Sequence, residues 1–321
     1  MARAKRVVMR SRVSCAVFSD RRFSGVLVTN SHDIPRVPAG VEVVPILDFG
    51  SQFVQLIARR VREAGAFSLM LAPDTPVEVL RALQPKGIIL SGGPSSVDGD
   101  NAPTCDPRIL EMGMPVLGVC YGLQLMWSLL GGRVVPADKR EYGRAKLGIH
   151  GRGGMFHGIP SDTSVWMSHG DQIVDLPEGF EAIASTPTCP YAAVRHAERN
   201  LHGVQFHPEV THTPHGVEML RNFLYEICGC EGTWRMSDFV ESAAAEVRSK
   251  VQGSRVICGL SGGVDSSVVA ALLHKAIGSQ LTCIFVDNGL LRKNERDLVE
   301  TTFRDHFDVD LRVIDASEAF L

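Results

Sequence analysis

Two kinds of apolar pattern alternate along the chain from position 43 onward. Short continuous apolar runs predict buried strands, and apolar residues spaced three and four apart predict helices. The first run, residues 43–47, predicts a strand, and Ser51 follows where it could cap the next helix. Further elements are predicted as strands at 67–71, 87–90 and 115–119, several short strands within 133–206, and a helix at 215–228 before Gly229. This order indicates a parallel sheet with helices and a β-rich insertion.

A second series of alternating patterns begins after the segment Cys228-Gly229-Cys230. It predicts helices at 236–251, 266–277 and 295–307, and strands at 255–260, 281–286 and 310–314. Three strands make a small sheet, which leaves apolar faces and an edge exposed. We therefore predict an α/β protein with an atypical N-terminal extension at 1–42, a complete domain at 43–232 and an incomplete domain at 233–321.

Length and composition are those of a globular protein of about two domains. The chain has 321 residues, of which 45% are apolar and 21% charged, and no window approaches the ~18 consecutive apolar residues of a membrane span. The net charge of −3 provides no overall positive field for a nucleic-acid backbone. We expect neither a nucleic acid nor a membrane as a partner.

The cysteines and the first residues bear on the cellular compartment. The eight cysteines include no CxxC pair and lack the density of a secreted scaffold, which favours a reducing cytoplasm. Residues 1–42 begin rich in arginine and poor in acids, superficially like an organelle transit peptide. Because no clear amphipathic stripe emerges, we favour an upstream extension, such as one from a misplaced start codon.

The segment Gly118-Val119-Cys120-Tyr121-Gly122 lies between a predicted strand and an apolar helix. Small residues around a nucleophile permit the sharp strand-to-helix turn that presents it at the carboxyl edge of a sheet. At a helix N-terminus, the helix dipole and free N–H groups favour a thiolate. We therefore predict that Cys120 is a nucleophile; the alternative is a buried structural cysteine.

The segment His207-Pro208-Glu209 follows an apolar strand and offers a base for this thiol. His207 could accept the thiol proton while Glu209 orients the imidazole, as in acyl-transfer triads. A metal cluster is the alternative, although prolines interrupt the segment and no histidine pair has i,i+4 helical spacing. The residues of that cluster would be His202, His207, Glu209, His212 and His215.

The turn Ser91-Gly92-Gly93-Pro94 follows another predicted strand, which should end at the same sheet edge as Cys120. A tetrahedral intermediate needs N–H donors for its oxyanion, and glycine lets the backbone approach a ligand closely. The N–H of Tyr121 and those of the turn at Gly92 and Gly93 are therefore candidate oxyanion donors.

These motifs, together with Gln124 and the segment 168–171, resemble the class I glutamine amidotransferases over about residues 43–232. The resemblance implies a flavodoxin-like parallel or mixed sheet with helices on both faces. It implies that Cys120 attacks the side-chain amide of glutamine and releases ammonia, with His207 as acid and base and Glu209 orienting it. Five further residues are implied at the glutamine substrate: Gln124, Ser168, His169, Gly170 and Asp171.

A second glycine-rich loop lies between a strand and a helix in the C-terminal part of the chain. Its small residues expose successive N–H groups at a helix N-terminus, which suits phosphate. The GK[ST] ending of a Walker A loop is absent, so γ-phosphate transfer is not implied. A plain glycine turn is the alternative. The loop consists of Ser261, Gly262, Gly263, Val264, Asp265, Ser266 and Ser267.

This loop resembles the pyrophosphate-binding loop of the ATP pyrophosphatases, which have an adenine-nucleotide α-hydrolase-like fold. The resemblance implies ATP with Mg²⁺ as co-substrate and no permanently bound cofactor. Residues 261–267 would hold the ATP phosphates, Asp265 would bind Mg²⁺, and Val286 would line the nucleotide site. An amidotransferase of this class followed by this loop is the arrangement of the GMP synthetase family, whose reaction aminates xanthosine monophosphate (XMP) to GMP and yields AMP and pyrophosphate.

Segments 48–53, 140–145, 165–171 and 286–295 strengthen this resemblance, which implies glutamine, ATP and XMP as substrates. GMP synthetases continue into a dimerisation domain that carries much of the XMP site. We therefore expect a chain ending at Leu321 to be a fragment of a homodimeric ligase. Two other classes stay open, namely a freestanding glutaminase or γ-glutamyl hydrolase and a non-catalytic assembly module.

Overall fold

The computed structural model describes residues 34–35, 37–151, 153–305, 307 and 309–320. Most of the N-terminal extension predicted at 1–42 lies outside these residues. The chain divides into two compact units, with the boundary between Trp234 and Arg235. Each unit has its own sheet and is described by itself. None of the described helices is long and apolar enough to cross a membrane.

The described residues of the first unit form ten strands in two sheets. In chain order they are β1 (Ile46–Leu47), β2 (Met70–Leu71), β3 (Ile88–Leu90), β4 (Val116–Val119), β5 (Arg133–Lys146), β6 (Gly148–Ile149), β7 (Ser164–Val174), β8 (Glu181–Ser185), β9 (Ala193–His196) and β10 (Leu201–Val204). Eight of them form a mixed sheet of order β2-β1-β3-β4-β10-β9-β8-β6, in which β1 to β4 and β10 are parallel. Strands β5 and β7 pair antiparallel as a separate sheet. The predicted α/β fold with a β-rich insertion is confirmed.

Helices connect these strands and largely match the sequence prediction. They are α1 (Val54–Glu63), α2 (Val77–Ala82), α3 (Tyr121–Leu129) and α4 (Gly216–Asn222), which a π-helix continues over Phe223–Ile227. Gly229 follows with a φ of +64°, the left-handed conformation that ends helices. The prediction that Ser51 caps α1 is wrong, because the N-cap is Phe53 and the Ser51 hydroxyl accepts the Phe53 N–H at 3.1 Å instead.

Helices cover both faces of the large sheet. Val204 of β10 packs in one cluster with Ile57 of α1 and Met219 of α4. Successive strand residues point to opposite faces, and the neighbouring Gly203 faces α3, where a Cβ would collide with Leu123. Each face of the sheet is therefore removed from water, which explains why its strands read as continuous apolar runs.

The strand register brings three connecting loops to one edge of this sheet. Strand β4 lies between β3 and β10, with Gly118 opposite Leu90 and Val119 opposite Val204. Because all three strands are parallel, the residues that follow them emerge side by side. The loops that begin at Ser91, Cys120 and Gln205 therefore meet at the carboxyl edge.

The second unit is a small α/β layer. Its elements are α5 (Met236–Val251), β11 (Val256–Leu260), α6 (Val264–Ile277), β12 (Leu281–Asp287), α7 (Glu295–Asp305), β13 (Asp310–Asp315) and α8 (Ser317–Phe320). The strands form a parallel sheet of order β11-β12-β13. Helix α6 begins two residues before its predicted start, because the extended residue Gly263 is its N-cap.

Only one face of this three-stranded sheet is packed. Cys283 and Phe285 of β12 lie in a cluster with residues of α5, α6 and α7. The apolar side chains that point to the opposite face are exposed: Ile257 by 62%, Val286 by 41% and Ile314 by 46%. An open apolar face is what a sheet of three strands is expected to leave.

Gly122 offers a test of the packing that shapes the turn at Cys120. A Gly→Ala change inside a helix usually stabilises by up to ~1 kcal/mol, but a Cβ at Gly122 would collide with the backbone carbonyl of Leu90. We therefore expect Gly122→Ala to lower the free energy of unfolding by about 1–3 kcal/mol, measured by urea denaturation.

Gly148→Ala is the matched control, because its added Cβ would have its nearest contact at 3.6 Å, from the Ser185 carbonyl. It should change the free energy of unfolding by less than ~0.5 kcal/mol. Equal stability of the two variants would contradict the close helix–strand packing at Gly122.

Candidate active site

Cys120 sits at the turn between β4 and α3 in a conformation that few non-glycine residues adopt. Its φ is +51° and its ψ is −106°, and it is the N-cap of α3. Its N–H donates to the carbonyl of Val204 at 2.7 Å, which continues the β4–β10 pairing by one residue. Such backbone strain costs of order 1–3 kcal/mol and persists where the surrounding structure enforces it. The strand-to-helix turn predicted from the two glycines is therefore present.

The Cys120 thiol is nearly buried and contacts two further segments. Its Sγ lies 3.7 Å from the carbonyl oxygen of Ser168 and 3.6 Å from Nε2 of Gln205. Cys120 is 5% exposed. Burial raises the pKa of Cys105 and Cys189 to about 12, so these two are thiols at neutral pH. The surroundings of Cys120 differ from theirs, because the side chain of His207 contacts its thiol.

The structure pairs His207 with Glu209. Nδ1 of His207 lies 2.8 Å from Oε1 of Glu209, and the two side chains are 6% and 0% exposed. Burial lowers the pKa of His207, but its interactions with Cys120 and Glu209 outweigh burial and raise the pKa to about 10. The imidazole is therefore protonated at neutral pH.

Backbone contacts hold His207 in place. Its N–H donates to the carbonyl of Trp166 at 3.0 Å, and its carbonyl accepts the Thr213 hydroxyl at 2.7 Å. The Phe53 ring packs against the imidazole edge at a centroid distance of 5.8 Å. Rigid elements on several sides therefore fix the ring beside Cys120.

The glycine turn after β3 lies against both Cys120 and His207. A Cβ at Gly92 would be 3.2 Å from Cε1 of His207 and 3.8 Å from Cβ of Cys120. At Gly93 a Cβ would be 2.6 Å from the Phe49 carbonyl, which only glycine avoids. The Ser91 hydroxyl accepts the Phe49 N–H at 3.0 Å and donates to the Gly92 carbonyl at 2.9 Å. The predicted oxyanion segment therefore lies at the same edge as the thiol.

Gln124 and the segment 168–171 also meet at this edge. Gln124 donates through Nε2 to the Asp171 carbonyl at 2.9 Å and to Oε1 of Gln205 at 3.3 Å. The Tyr121 hydroxyl donates to the Pro103 carbonyl at 2.6 Å. Of the residues predicted at the glutamine site, Ser168 therefore contacts Cys120 directly, and Gln124 and Asp171 are connected to it through Gln205.

Two residues near Cys120 were not found from the sequence. Gln205 is fully buried and bridges Cys120 and Gln124. Its position two residues before His207, in the apolar run that predicted a strand, was a usable signal, since alternate residues of a strand share a face. Glu141 contacts His169, and this pairing depends on the register of β5 against β7, which no local pattern reveals.

The metal cluster considered for residues 202–215 is not supported. Among the described residues, the group with suitable metal-ligand spacing is Glu141, His169 and Cys189, whose donor atoms lie within 4.8 Å of one another. Its acid already accepts two threonine hydroxyls, and His169 Nδ1 contacts the Asp171 carbonyl at 2.9 Å. We therefore describe this group as a hydrogen-bonded cluster.

In the second unit, the loop at 261–267 is exposed and internally hydrogen-bonded. The Ser266 hydroxyl accepts the Ser261 N–H at 3.2 Å and donates to the Gly263 carbonyl at 3.0 Å. The Ser267 hydroxyl donates to the same carbonyl at 2.9 Å. Gly262 has a φ of +74°, a conformation that favours glycine. The loop is thus braced by its own serines and exposed at the N-terminus of α6.

Oxygen donors suited to Mg²⁺ occur at this loop. Asp265 is exposed in the first turn of α6. Glu295, to which the sequence analysis assigned no role, lies so close that a Cβ at Gly262 would be 2.7 Å from its Oε1. Carboxylates are the protein ligands that Mg²⁺ prefers, so the donor set fits this ion. Val286 follows Phe285, the register partner of Leu260, and therefore lies at the strand end next to the loop.

Comparisons with known proteins cover both units. The family model for class-I glutamine amidotransferase matches residues 45–227, and the model for NAD synthase matches residues 235–314. A glutamine-hydrolysing GMP synthase from Syntrophomonas wolfei is 54% identical over 280 residues, which are 87% of this chain and 55% of that protein. One from Macrococcus caseolyticus is 52% identical over 87% of this chain and 54% of that protein.

The chain spans about half the length of these curated relatives. Among solved structures, a GMP synthase subunit from Thermoplasma acidophilum superposes with a TM-score of 0.53 and 31% identity. The match covers 59% of this chain and 94% of that one. Because the amidotransferase model matches more than half of the chain, and Cys120, His207 and Glu209 lie within the match, this protein belongs to the class-I glutamine amidotransferase family.

Proposed function

We propose that the protein hydrolyses glutamine at Cys120 and contributes this activity, with an ATP-binding loop, to a glutamine-hydrolysing GMP synthase. One observation carries the proposal: Cys120 lies beside the buried His207–Glu209 pair at the joined ends of β4 and β10. The 54% identity to a GMP synthase from Syntrophomonas wolfei supports the same assignment.

The first step is attack of the Cys120 sulfur on the side-chain carbonyl carbon of glutamine. His207 takes up the proton that the thiol loses, because its contacts with Cys120 and Glu209 raise its pKa to about 10. As the tetrahedral intermediate collapses, the imidazolium gives this proton to the leaving nitrogen, and ammonia departs. Glu209 keeps the ring oriented through the 2.8 Å contact with Nδ1. The products are ammonia and a glutamyl thioester.

The negative charge that develops on the carbonyl oxygen needs fixed donors. The N–H of Tyr121, at the start of α3, and the N–H groups of Gly92 and Gly93 are the groups we assign to this role. The nearness of Gly92 to both His207 and Cys120 supports the assignment. Water then attacks the thioester with His207 as base, which releases glutamate and restores the thiol.

Substrate glutamine would be held by Gln124 and the segment 168–171. The 3.7 Å approach of the Ser168 carbonyl to Sγ places backbone acceptors where a substrate amide or ammonium could donate. The side-chain amide of Gln124 donates to the Asp171 carbonyl, so we propose that Gln124 holds the segment 168–171 in position at the substrate site. The segment Ser168, His169, Gly170 and Asp171 would provide the contacts themselves.

In the second reaction, ammonia would replace the C2 oxygen of XMP after that oxygen has been adenylated by ATP. Residues 261–267 would bind the ATP phosphates, and Val286 would line the nucleotide site. Bound Mg²⁺ would neutralise phosphate charge, with Asp265 as its ligand. The open N-terminus of α6 and its internally braced serines support this role. Pyrophosphate would leave when the oxygen is adenylated, and AMP would leave when ammonia replaces it and GMP forms.

We place this activity in the cytoplasm. The cysteines that the structure describes, all in buried positions, are free thiols, which supports a reducing compartment. Purified protein given glutamine alone, and then with ATP, Mg²⁺ and XMP, tests the whole proposal. Ammonia without AMP or GMP would assign only the glutaminase step to this chain, and no ammonia at all would favour an assembly role.

Replacement of the nucleophile gives the most direct test. Cys120→Ala should lower the rate of ammonia release from glutamine by at least about a thousandfold, because the covalent route is lost. Cys105→Ala is the matched control, since Cys105 is also buried and its raised pKa of about 12 keeps it an unreactive thiol. Comparable activity of both variants in a coupled ammonia assay would contradict the assignment.

The pH dependence tests the His207–Glu209 pair. Glu209→Gln removes a charge and a hydrogen bond that both raise the pKa of His207, so the imidazolium should lose its proton at lower pH. The alkaline limb of ammonia release should therefore move down by about one to two pH units.

Glu226→Gln is the control for this shift. Glu226 lies 3.5 Å from His157 as an exposed glutamate–histidine pair in the same unit. Its profile should overlay that of the unsubstituted protein. An unmoved alkaline limb in Glu209→Gln would mean that Glu209 does not control the protonation of His207.

The phosphate loop can be tested separately by ATP binding. Ser266→Ala removes the hydroxyl that braces Ser261 and Gly263, so the half-saturating concentration of MgATP should rise about threefold to tenfold in calorimetric titrations. Ser249→Ala, in which an exposed hydroxyl on α5 is lost, is the control and should bind like the unsubstituted protein. Equal affinities for Ser266→Ala and Ser249→Ala would contradict phosphate binding by this loop.

A further inference from the structure

Glu141 is a mostly buried carboxylate that the proposed reaction does not use. In β5 it is the register partner of His169 in β7, at the point where pairing resumes after the irregularity that begins at Pro136. The Glu141 side chain is 13% exposed and the His169 side chain 2%. A carboxylate removed from water to this extent destabilises a fold unless it is hydrogen-bonded or paired with a cation.

Three side chains surround the Glu141 carboxylate. The Thr186 hydroxyl donates to Oε1 at 3.0 Å, the Thr188 hydroxyl donates to the same oxygen, and Nε2 of His169 lies 3.3 Å from Oε2. The Thr186 hydroxyl also accepts the N–H of Cys189 at 3.0 Å. Glu141 therefore joins β5, β7 and the turn at 186–189 at a single point.

The contacts of His169 fix the orientation of its ring. Nδ1 lies 2.9 Å from the Asp171 carbonyl, which only accepts hydrogen bonds, so Nδ1 carries a hydrogen. On the other side of the ring, Nε2 lies 3.3 Å from Oε2 of Glu141. Both ring nitrogens are therefore held by polar contacts, one to Asp171 and one to Glu141.

From His169 the contacts continue to the candidate active site. The Asp171 carbonyl that accepts from His169 also accepts from Nε2 of Gln124 at 2.9 Å. Gln124 lies on α3, one turn after Cys120. In the same segment, the Ser168 carbonyl is 3.7 Å from Sγ of Cys120. The position of the β7 segment 168–171 therefore depends on donors from both β7 and α3.

We propose that Glu141 is a positioning residue that holds the β7 segment 168–171 against Cys120 through His169 and thereby sets the affinity for glutamine. The hydrogen bonds of Glu141 run to Thr186, Thr188 and His169, so its effect is on substrate binding and not on the reactivity of the thiol. The proposal rests on the proposed glutaminase function, because it assigns the same segment to glutamine.

The experiment measures labelling of Cys120 in the whole chain by two probes. A diazoketone analogue of glutamine must occupy the substrate site before it alkylates the thiol with loss of N₂. Iodoacetamide alkylates the thiol without using the substrate contacts. Intact mass and peptide mapping follow labelling of Cys120, and the dependence on analogue concentration yields a half-saturating concentration and a maximal rate.

Two variants of similar volume separate hydrogen bonding from space filling. Glu141→Leu can accept no hydrogen bond, and we expect its half-saturating analogue concentration to rise at least about tenfold. Glu141→Gln can still accept from the threonines and donate to Nε2, so a rise of only about threefold is expected. In both variants the maximal rate and the iodoacetamide rate should stay within about twofold of the unsubstituted protein.

Glu181→Ala is the matched control, because Glu181 is an exposed glutamate of the same unit that pairs with Arg195 at 2.5 Å. It should leave all labelling parameters unchanged. An unchanged half-saturating concentration in Glu141→Leu would overturn the proposal, as would equal impairment of the Leu and Gln variants.

Folding is monitored by the melting temperature of each variant. If Glu141→Leu does not fold, Glu141→Gln alone decides, and an unchanged half-saturating concentration there overturns the proposal. If neither variant folds, Glu141 is a stability determinant and the positioning role is overturned. Failure of the analogue to label the unsubstituted protein would instead reject the glutaminase function itself, which distinguishes the two proposals.

Discussion

The candidate active site depends on the parallel pairing of β4 with β10. Val119 lies opposite Val204, and the ladder is extended by the 2.7 Å hydrogen bond from the Cys120 N–H to the Val204 carbonyl. This bond holds Cys120 at a positive φ and places the next residues of β10 beside its side chain. His207 reaches the thiol only because the two strands end together. The oxyanion segment joins them through β3, on the other side of β4.

The chemistry of the site follows from a cation buried among acceptors. Burial alone would favour neutral His207, but Glu209 and Cys120 reverse this and raise the pKa to about 10. The second carboxylate oxygen of Glu209 is buried without a hydrogen-bond partner. The positive charge of the His207 imidazolium is therefore what mainly offsets the cost of burying the Glu209 carboxylate. Removal of either partner would leave an uncompensated charge in the core, which is costly. Besides its proposed chemistry, the group of Cys120, His207 and Glu209 is therefore a constraint on how the edge of the sheet packs.

Local patterns predicted most of the fold and the main site residues. Continuous apolar runs found β1, β3 and β4, and helical spacing matched the bounds of α5 at Met236–Val251. The prediction that Ser51 caps α1 was wrong, because its hydroxyl accepts the Phe53 N–H in the turn before the helix and Phe53 is the N-cap. Gln205, Glu141 and Glu295 were missed, because each contacts a partner from another element. Gln205, just after β10, contacts Cys120, and Glu141 of β5 contacts His169 of β7. Glu295, the first residue of α7, lies next to Gly262.

The sequence by itself determined the alternation of strands and helices and the sharp turns at Cys120 and at 261–267, because apolar spacing and glycine act over a few residues. Only the tertiary structure decided which strands are neighbours. Cys120 and His207 lie far apart in the chain, as do Glu141 and His169, and they meet through the β4–β10 and β5–β7 pairings. Such pairings bury both faces of a sheet and satisfy its backbone groups as a whole, so no local pattern specifies them.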